Sequence, residues 1–179
     1  FSQTNLGEQF PLFDGNISSI MSEEKLYNSI IIDNYIQLTK YKYPDLNSDD
    51  ILQEAGIEPW ELDPGNWFSQ EQVDRFQEVI VEKTGNPNIA REAGQYSVAE
   101  RSGNLIRHAA LTLLSPQNLI DIIGKITSRI TKASKISSKK ISNNKHEIIV
   151  EYAPGVAPKK YQCLSTQGYL EAIYFVFNS

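Results

Sequence analysis

The chain has one cysteine, Cys163, among 179 residues. That excludes an internal disulfide and a zinc site built from several thiolates, and it fits a reducing cytoplasm. There are two histidines, His108 and His146. No apolar run approaches the roughly 20 residues of a membrane-spanning helix. No internal repeat occurs. Gly-x-Ser-x-Gly, a Walker loop, His-Glu-x-x-His and the dinucleotide fingerprint are all absent, so no enzymatic activity is expected. Gly103-Asn104 reads as a lone helix start, and Ser97, Ser102 and Ser115 have no recognisable base partner in sequence. An overall basic charge is lacking too. The net charge of -5 gives no general affinity for nucleic acid or an anionic membrane.

The composition that remains, 40% hydrophobic and 22% charged, is that of an ordinary globular protein with enough chain for one core. The chain opens at Phe1 rather than Met, as expected of a piece of a longer protein. Residues 1–21 lack sustained periodicity and read as an N-terminal arm or linker that docks through Phe10, Leu12 and Phe13. Residues 22–179 read as one domain.

Helix punctuation dominates the first part. Ser22, Glu23 and Glu24 suit a helix start, and Leu26, Ile30, Ile31, Tyr35, Ile36 and Leu38 follow, with Pro44 ending the run. Ser48 caps a short helix that Gly56 closes. Pro59 starts the next. Ser69 and Gln72 have capping-box spacing, and Phe68 and Val73 occupy the hydrophobic-staple positions. Val73, Phe76, Val79 and Ile80 then form a helical stripe that Gly85 stops. Pro87 opens a short helix through Ala93. Further helices are expected over Asn104–Leu114 and from Ser115-Pro116 onward, the latter with Leu119, Ile122, Ile123, Ile126 and Ile130 buried.

The period then changes. Ser134–Ser142 and Glu147–Tyr152 read as two strands around an Asn143-Asn144 turn. Ala153–Pro158 is a loop, Tyr161–Leu164 a third short strand, and Ser165–Phe177 a closing helix. The class is α+β: a multi-helix part, a small antiparallel sheet and a C-terminal helix.

Three segments together carry a resemblance: Ala55 to Leu62 (A-G-I-x-P-x-x-L), Glu82 to Pro87 (E-K-T-G-N-P) and Cys163 to Ile173 (C-x-x-x-x-G-x-x-E-A-I). They resemble the N-terminal sensory domains of bacterial histidine kinases and nucleotide cyclases. The helical part is also similar to the ligand-binding half of arabinose-regulator-type transcription factors. A fainter likeness reaches the heme nitric-oxide/oxygen-binding family and the 4-vinyl-reductase domain. The likeness spans roughly Tyr35 to Phe177. It implies a bacterial, cytoplasmic signal-transduction input domain. The chain departs from the heme family where heme is held, because the Tyr-x-Ser-x-Arg signature for the propionates is missing. No cofactor and no metal are therefore expected.

Each candidate group has a plain structural reading beside its functional one. His108, among Ile106, Ala109, Ala110 and Leu111, is a core histidine or a pocket residue. Cys163 reads as a small buried hydrophobe rather than a reactive thiol. The carboxylates from Asp45 to Asp63 match no EF-hand and read as a solvated surface. Between Ile122 and His146 no acidic residue occurs, while Lys125, Arg129, Lys132, Lys135, Lys139, Lys140 and Lys145 do. That region is either a solvated face or a docking surface. Most of Trp60, Trp67, Phe68, Phe76, Tyr96, Tyr161, Tyr169, Tyr174, Phe175 and Phe177 must be core. Some would line a pocket between helices and sheet, the usual form of a small-molecule site.

The sequence thus predicts a non-catalytic sensory input domain. Its expected ligand contacts are Arg107, His108, Trp67, Phe76, Tyr96, Tyr161 and Tyr169. The ligand is small and mostly apolar, or else a partner domain, and a C-terminal effector reads the result. Two alternatives stay open: a ligand-free dimerisation or docking module, as a homodimer, and a degenerate heme-type gas sensor. Nucleic acid ranks last as a partner because no aromatics interleave with the lysines.

Overall fold

Lys25–Asn28 forms a strand, β1, where a helix starting at Ser22 was expected. The reason lies some forty residues away. β1 pairs antiparallel with β2, Trp67–Ser69, setting Tyr27 opposite Phe68 and Asn28 opposite Trp67. Leu26 and Tyr27 are buried by that pairing. The first helix, α1 (Ile30–Lys42), begins only afterwards. There Asn28 Oδ1 accepts from the Ile30 N–H at 3.1 Å and satisfies a free donor of the first turn. The computed structural model describes residues 24–102, 124–142, 145–157 and 159–178. The arm over 1–21, the helix expected over Asn104–Leu114, the first part of the helix expected from Ser115-Pro116, and the Asn143-Asn144 turn lie outside the described residues.

Local punctuation sets the next helices. α2 (Ser48–Glu54) is capped by Asn47, one residue before the expected Ser48, through an Asp49 N–H to Oδ1 bond of 3.0 Å. Gly56 closes it at φ 74°, a left-handed value that costs glycine nothing. Pro59–Leu62 is one 3-10 turn, with the Glu58 N–H bonded to Glu61 Oε2. α3 (Gln70–Thr84) starts in the expected capping box. Ser69 Oγ accepts from the Gln72 N–H at 3.3 Å, and Gln72 Oε1 accepts from the Ser69 N–H at 3.1 Å. Phe68 and Val73, the staple pair, are both buried in the core. α4 (Ile89–Tyr96) begins two residues after Pro87 and widens into a π-type turn over Ser97–Ser102.

These helices enclose the core. Phe76 and Tyr35 meet edge to face, with ring centroids 5.6 Å apart, among Ile32, Ile36, Ile80 and Ile89. The Tyr35–Phe76 contact ties α1 to α3.

Residues 124–130 are helical, and β3 (Ser134–Ser142) and β4 (Lys145–Tyr152) follow as an antiparallel hairpin. Its register sets Ser134 opposite Tyr152 and Ile136 opposite Val150. This is a second two-stranded sheet, joined to the first by the Tyr27–Thr131 bridge and a Lys132 N–H to Leu26 carbonyl bond. The chain closes with α5, Lys160–Asn178. The third strand expected over Tyr161–Leu164 is the first turn of that helix. Gln162 Oε1 accepts from the Lys159 N–H at 3.3 Å, a helix-start contact that fixes the turn as helical. The architecture is α+β. Among the described residues no helix is long and apolar enough to cross a membrane.

Candidate functional site

α4 and α5 cross with their backbones in contact. A Cβ on Gly94 would overlap the Ser165 carbonyl oxygen and lie 2.8 Å from the Tyr169 nitrogen. A Cβ on Gly168 would overlap the Arg91 carbonyl oxygen. Beside the crossing, Arg91 grips Glu171 through two bonds, 2.8 Å from Nε and 2.7 Å from a terminal nitrogen. Gln95 and Gln167 donate to the same carboxylate at 3.1 and 2.9 Å. These four donors hold the Glu171 pKa below the ordinary carboxylate value, the Arg91 bond being the chief cause.

Under that crossing lies a cavity of about 110 Å³. α1 lines it with Ile31, Asn34 and Tyr35, and α3 with Val73 and Gln77. α5 contributes Gln162, Ser165, Thr166 and Tyr169. The sheet side supplies Tyr27, Thr131, Ile136 and Tyr152. The lining therefore comes from both halves of the fold, with the closing helix as one wall.

Its polar groups are mostly tied down. Gln77 Nε2 donates to the Tyr35 hydroxyl at 2.9 Å. Gln162 Nε2 donates to the Tyr27 hydroxyl at 3.0 Å, and Tyr27 donates to Gln70 Oε1. Gln70 Nε2 reaches Asp74 Oδ1 at 2.8 Å. Three groups stand apart: Asn34 Oδ1, Gln77 Oε1 and the Tyr169 hydroxyl are buried without a hydrogen-bond partner.

Burial keeps the phenols protonated. It pushes Tyr35 up to about 12, with Ser165 and Gln77 offsetting part of the rise. Tyr152 also stands at about 12, through burial and the neighbouring Cys163. Burial, then the nearby Asp74 charge, raises Tyr27 well above its ordinary value. Tyr169 is raised by burial as well, and Thr127 beside its hydroxyl offsets part of that.

Of the residues the sequence singled out, Tyr169 lines the cavity. Phe76 is fully buried in the core behind it. Tyr96 and Tyr161 are half-buried against the same core. Trp67 lies in β2 under the Lys132 ammonium, 4.5 Å from the ring centroid. Arg107 and His108 lie outside the described residues. Of the ten aromatics most of which the sequence assigns to the core, three are exposed: Trp60 at 69%, Tyr174 at 65% and Phe175 at 64%. Trp60 sits on the isolated 3-10 turn, and the last two on the outer side of α5. Cys163, expected buried, is exposed, because its segment is helical and turns it outward to within 3.8 Å of the Tyr152 hydroxyl.

Sequence reasoning missed Asn34, Tyr35, Gln77 and Gln162. A signal existed for two of them. Gln77 stands four residues after Val73, inside the apolar stripe of α3, and Asn34 stands four after Ile30. A polar residue on a buried helical stripe needs a partner or a cavity.

No known family profile matches the chain, and no curated relative does. Solved structures do. An oxygen-binding H-NOX domain related to soluble guanylate cyclases, in its oxygen complex, superposes with a TM-score of 0.62 at 20% identity, over 84% of this chain and 81% of that one. A structure concerned with heme distortion in the H-NOX family gives 0.61 at 22% identity, over 84% and 81%. A point variant of T. Tengcongensis H-NOX gives 0.60 at 20% identity, over 84% and 83%. The chain has the fold of the H-NOX domains, the heme nitric-oxide/oxygen-binding likeness that its sequence carries faintly.

Proposed function

We propose that this chain is a non-catalytic sensory input domain whose cavity takes a small, largely apolar ligand and reports it through α5. One observation carries the reading: Gln162, Ser165, Thr166 and Tyr169 of the closing helix form a wall of the cavity whose other walls include α1, α3 and the sheet side. A ligand there touches α5 and the core at once, so occupancy and helix position are energetically coupled. Such couplings are typically about 1–3 kcal/mol, and they act in both directions. A bacterial, cytoplasmic setting with an effector after α5 fits this reading. The exposed lysines of the 125–145 region would then serve as a docking face for an acidic partner or a second copy.

The fold raises heme as the ligand, and the described residues do not fit it. The described lining of the cavity has no histidine, cysteine or methionine to bind iron, and no arginine or lysine to meet propionates. Tyr152-Ala153-Pro154-Gly155-Val156 sets proline and valine where the Tyr-x-Ser-x-Arg signature needs serine and arginine. A volume of about 110 Å³ is also far below a porphyrin's needs.

Native mass spectrometry and an absorption spectrum of freshly purified protein test the reading together. A retained small mass without a heme spectrum supports it. A stoichiometric Soret band that His108→Ala removes overturns it in favour of a heme sensor. A symmetric dimer with no retained mass, and no small molecule bound on soaking, favours the ligand-free docking module.

A further inference from the structure

The chemistry of the cavity wall narrows the ligand class, an inference that rests on the cavity being the sensory site. Three observations bear on it. First, the described lining carries no aspartate, glutamate, lysine, arginine or histidine. An ion entering it would be buried without a counter-charge, which is costly. The described walls thus favour an uncharged ligand.

Second, three buried polar groups of the wall lack a partner: the Tyr169 hydroxyl, which can donate or accept, and two amide oxygens, Asn34 Oδ1 and Gln77 Oε1, which can only accept. Asn34 is 9% exposed and Gln77 2%, and both line the cavity. The Gln77 amide nitrogen is committed to the Tyr35 hydroxyl at 2.9 Å, so its oxygen is the free end. An amide oxygen can only accept. A ligand that satisfies it must bring an N–H or O–H.

Third, the space is small. A dry apolar cavity of about 150 Å³ holds benzene. At about 110 Å³ this one suits a molecule somewhat smaller. Around the polar pair, Ile31, Val73, Ile130 and Ile136 supply apolar walls, and Tyr35 and Tyr169 supply rings.

We propose that the cavity selects a small uncharged hydrogen-bond donor of about five non-hydrogen atoms, seated against apolar walls with its N–H or O–H directed to Asn34 Oδ1 or Gln77 Oε1. The competing explanation is that trapped water already satisfies both oxygens, as buried polar groups in roomy cavities commonly arrange.

Pyrrole and furan separate the two. They share ring size and apolar character, and differ in having an N–H or a bare oxygen. Each is titrated into the full chain and followed by two-dimensional amide NMR. Pyrrole should bind about tenfold or more tightly than furan, because furan leaves both acceptors unpaired. In Gln77→Leu and in Asn34→Leu the preference should shrink while furan binding persists. Two separate variants are used so that one failing to fold leaves the other informative. Equal affinity of the two rings in the unmutated chain would leave the cavity as a ligand site and overturn the donor class. A preference for pyrrole that survives both substitutions would also overturn it. Binding of neither ring would overturn the cavity reading itself.

Discussion

Gln162 of α5 donates to the Tyr27 hydroxyl of β1 at 3.0 Å, joining residues 135 positions apart. Tyr27 in turn donates to Gln70, whose amide nitrogen bonds Asp74. The closing helix is thus pinned to the first strand and to α3 by one continuous, partly buried polar chain.

That chain predicts a graded response at position 162. Gln162→Leu removes the donor but leaves Tyr27 its bond to Gln70, so the loss should be about 1–2 kcal/mol. Gln162→Glu should cost more at neutral pH, because Asp74 Oδ1 lies 3.4 Å from the native amide nitrogen. The two carboxylates repel, so the introduced group has a raised pKa in the folded state. Its penalty should fade as pH drops through that value. Urea melts of both variants at pH 7 and pH 5 check this. A Gln162→Glu penalty that grows on acidification would contradict it.

The helix crossing predicts strong sensitivity to a single methyl. Gly94→Ala and Gly168→Ala must push backbone apart, since the overlapped atoms are carbonyl oxygens rather than flexible side chains. Each should cost about 1–3 kcal/mol or more. Gly65→Ala, where an added Cβ meets nothing within 4 Å, is the control and should be near neutral. Thermal melts of the three variants decide it. Equal melting points for Gly65→Ala and Gly94→Ala would mean that the helices do not touch there.

The start of α3 separates a capping loss from a core loss. Ser69→Ala removes one side of the capping box and should cost about 0.5–2 kcal/mol. Phe76→Ala empties a fully buried site against Tyr35 and should cost about 3–5 kcal/mol. Chemical denaturation giving the reverse order would contradict the packing described for α3.

Much of the fold was legible wherever it is local. The Ser69–Gln72 capping box, the Gly85 stop and the β3–β4 hairpin all announce themselves within a few residues. What failed depends on distant partners. Lys25–Asn28 looks like part of an apolar helix until Trp67–Ser69 arrives beside it. Tyr161–Leu164 looks like a strand because alternation over four residues cannot be told from one helical turn. The cavity was the least legible part. Asn34 and Gln77 carry only the faint signal of a polar residue on an apolar helical stripe, and packing is what sets both at one cavity. Tyr169 was singled out because an aromatic on a closing helix is a strong apolar signal.

The alkaline titration follows from the buried phenols. Nine tyrosines are present, of which Tyr27, Tyr35, Tyr152 and Tyr169 are shifted upward. Their folded pKa values exceed the unfolded value of about 10. The stability they contribute is therefore complete below pH 10 and is lost as pH rises toward 12. Tyrosinate absorbance of the native protein near pH 10 should fall well short of that of the chain in denaturant. Coincident titration curves would show that these rings are solvated.

The coupling of the cavity to α5 is tested most directly by amide hydrogen exchange, with and without saturating pyrrole. Exchange should slow along α5 from Lys160 to Ile173 and in α4 around Gly94, where the two helices cross. It should stay unchanged in α2, Ser48–Glu54, none of whose residues line the cavity. Protection confined to α1 and α3 at full occupancy, with α5 exchanging as before, would contradict the role assigned to the closing helix.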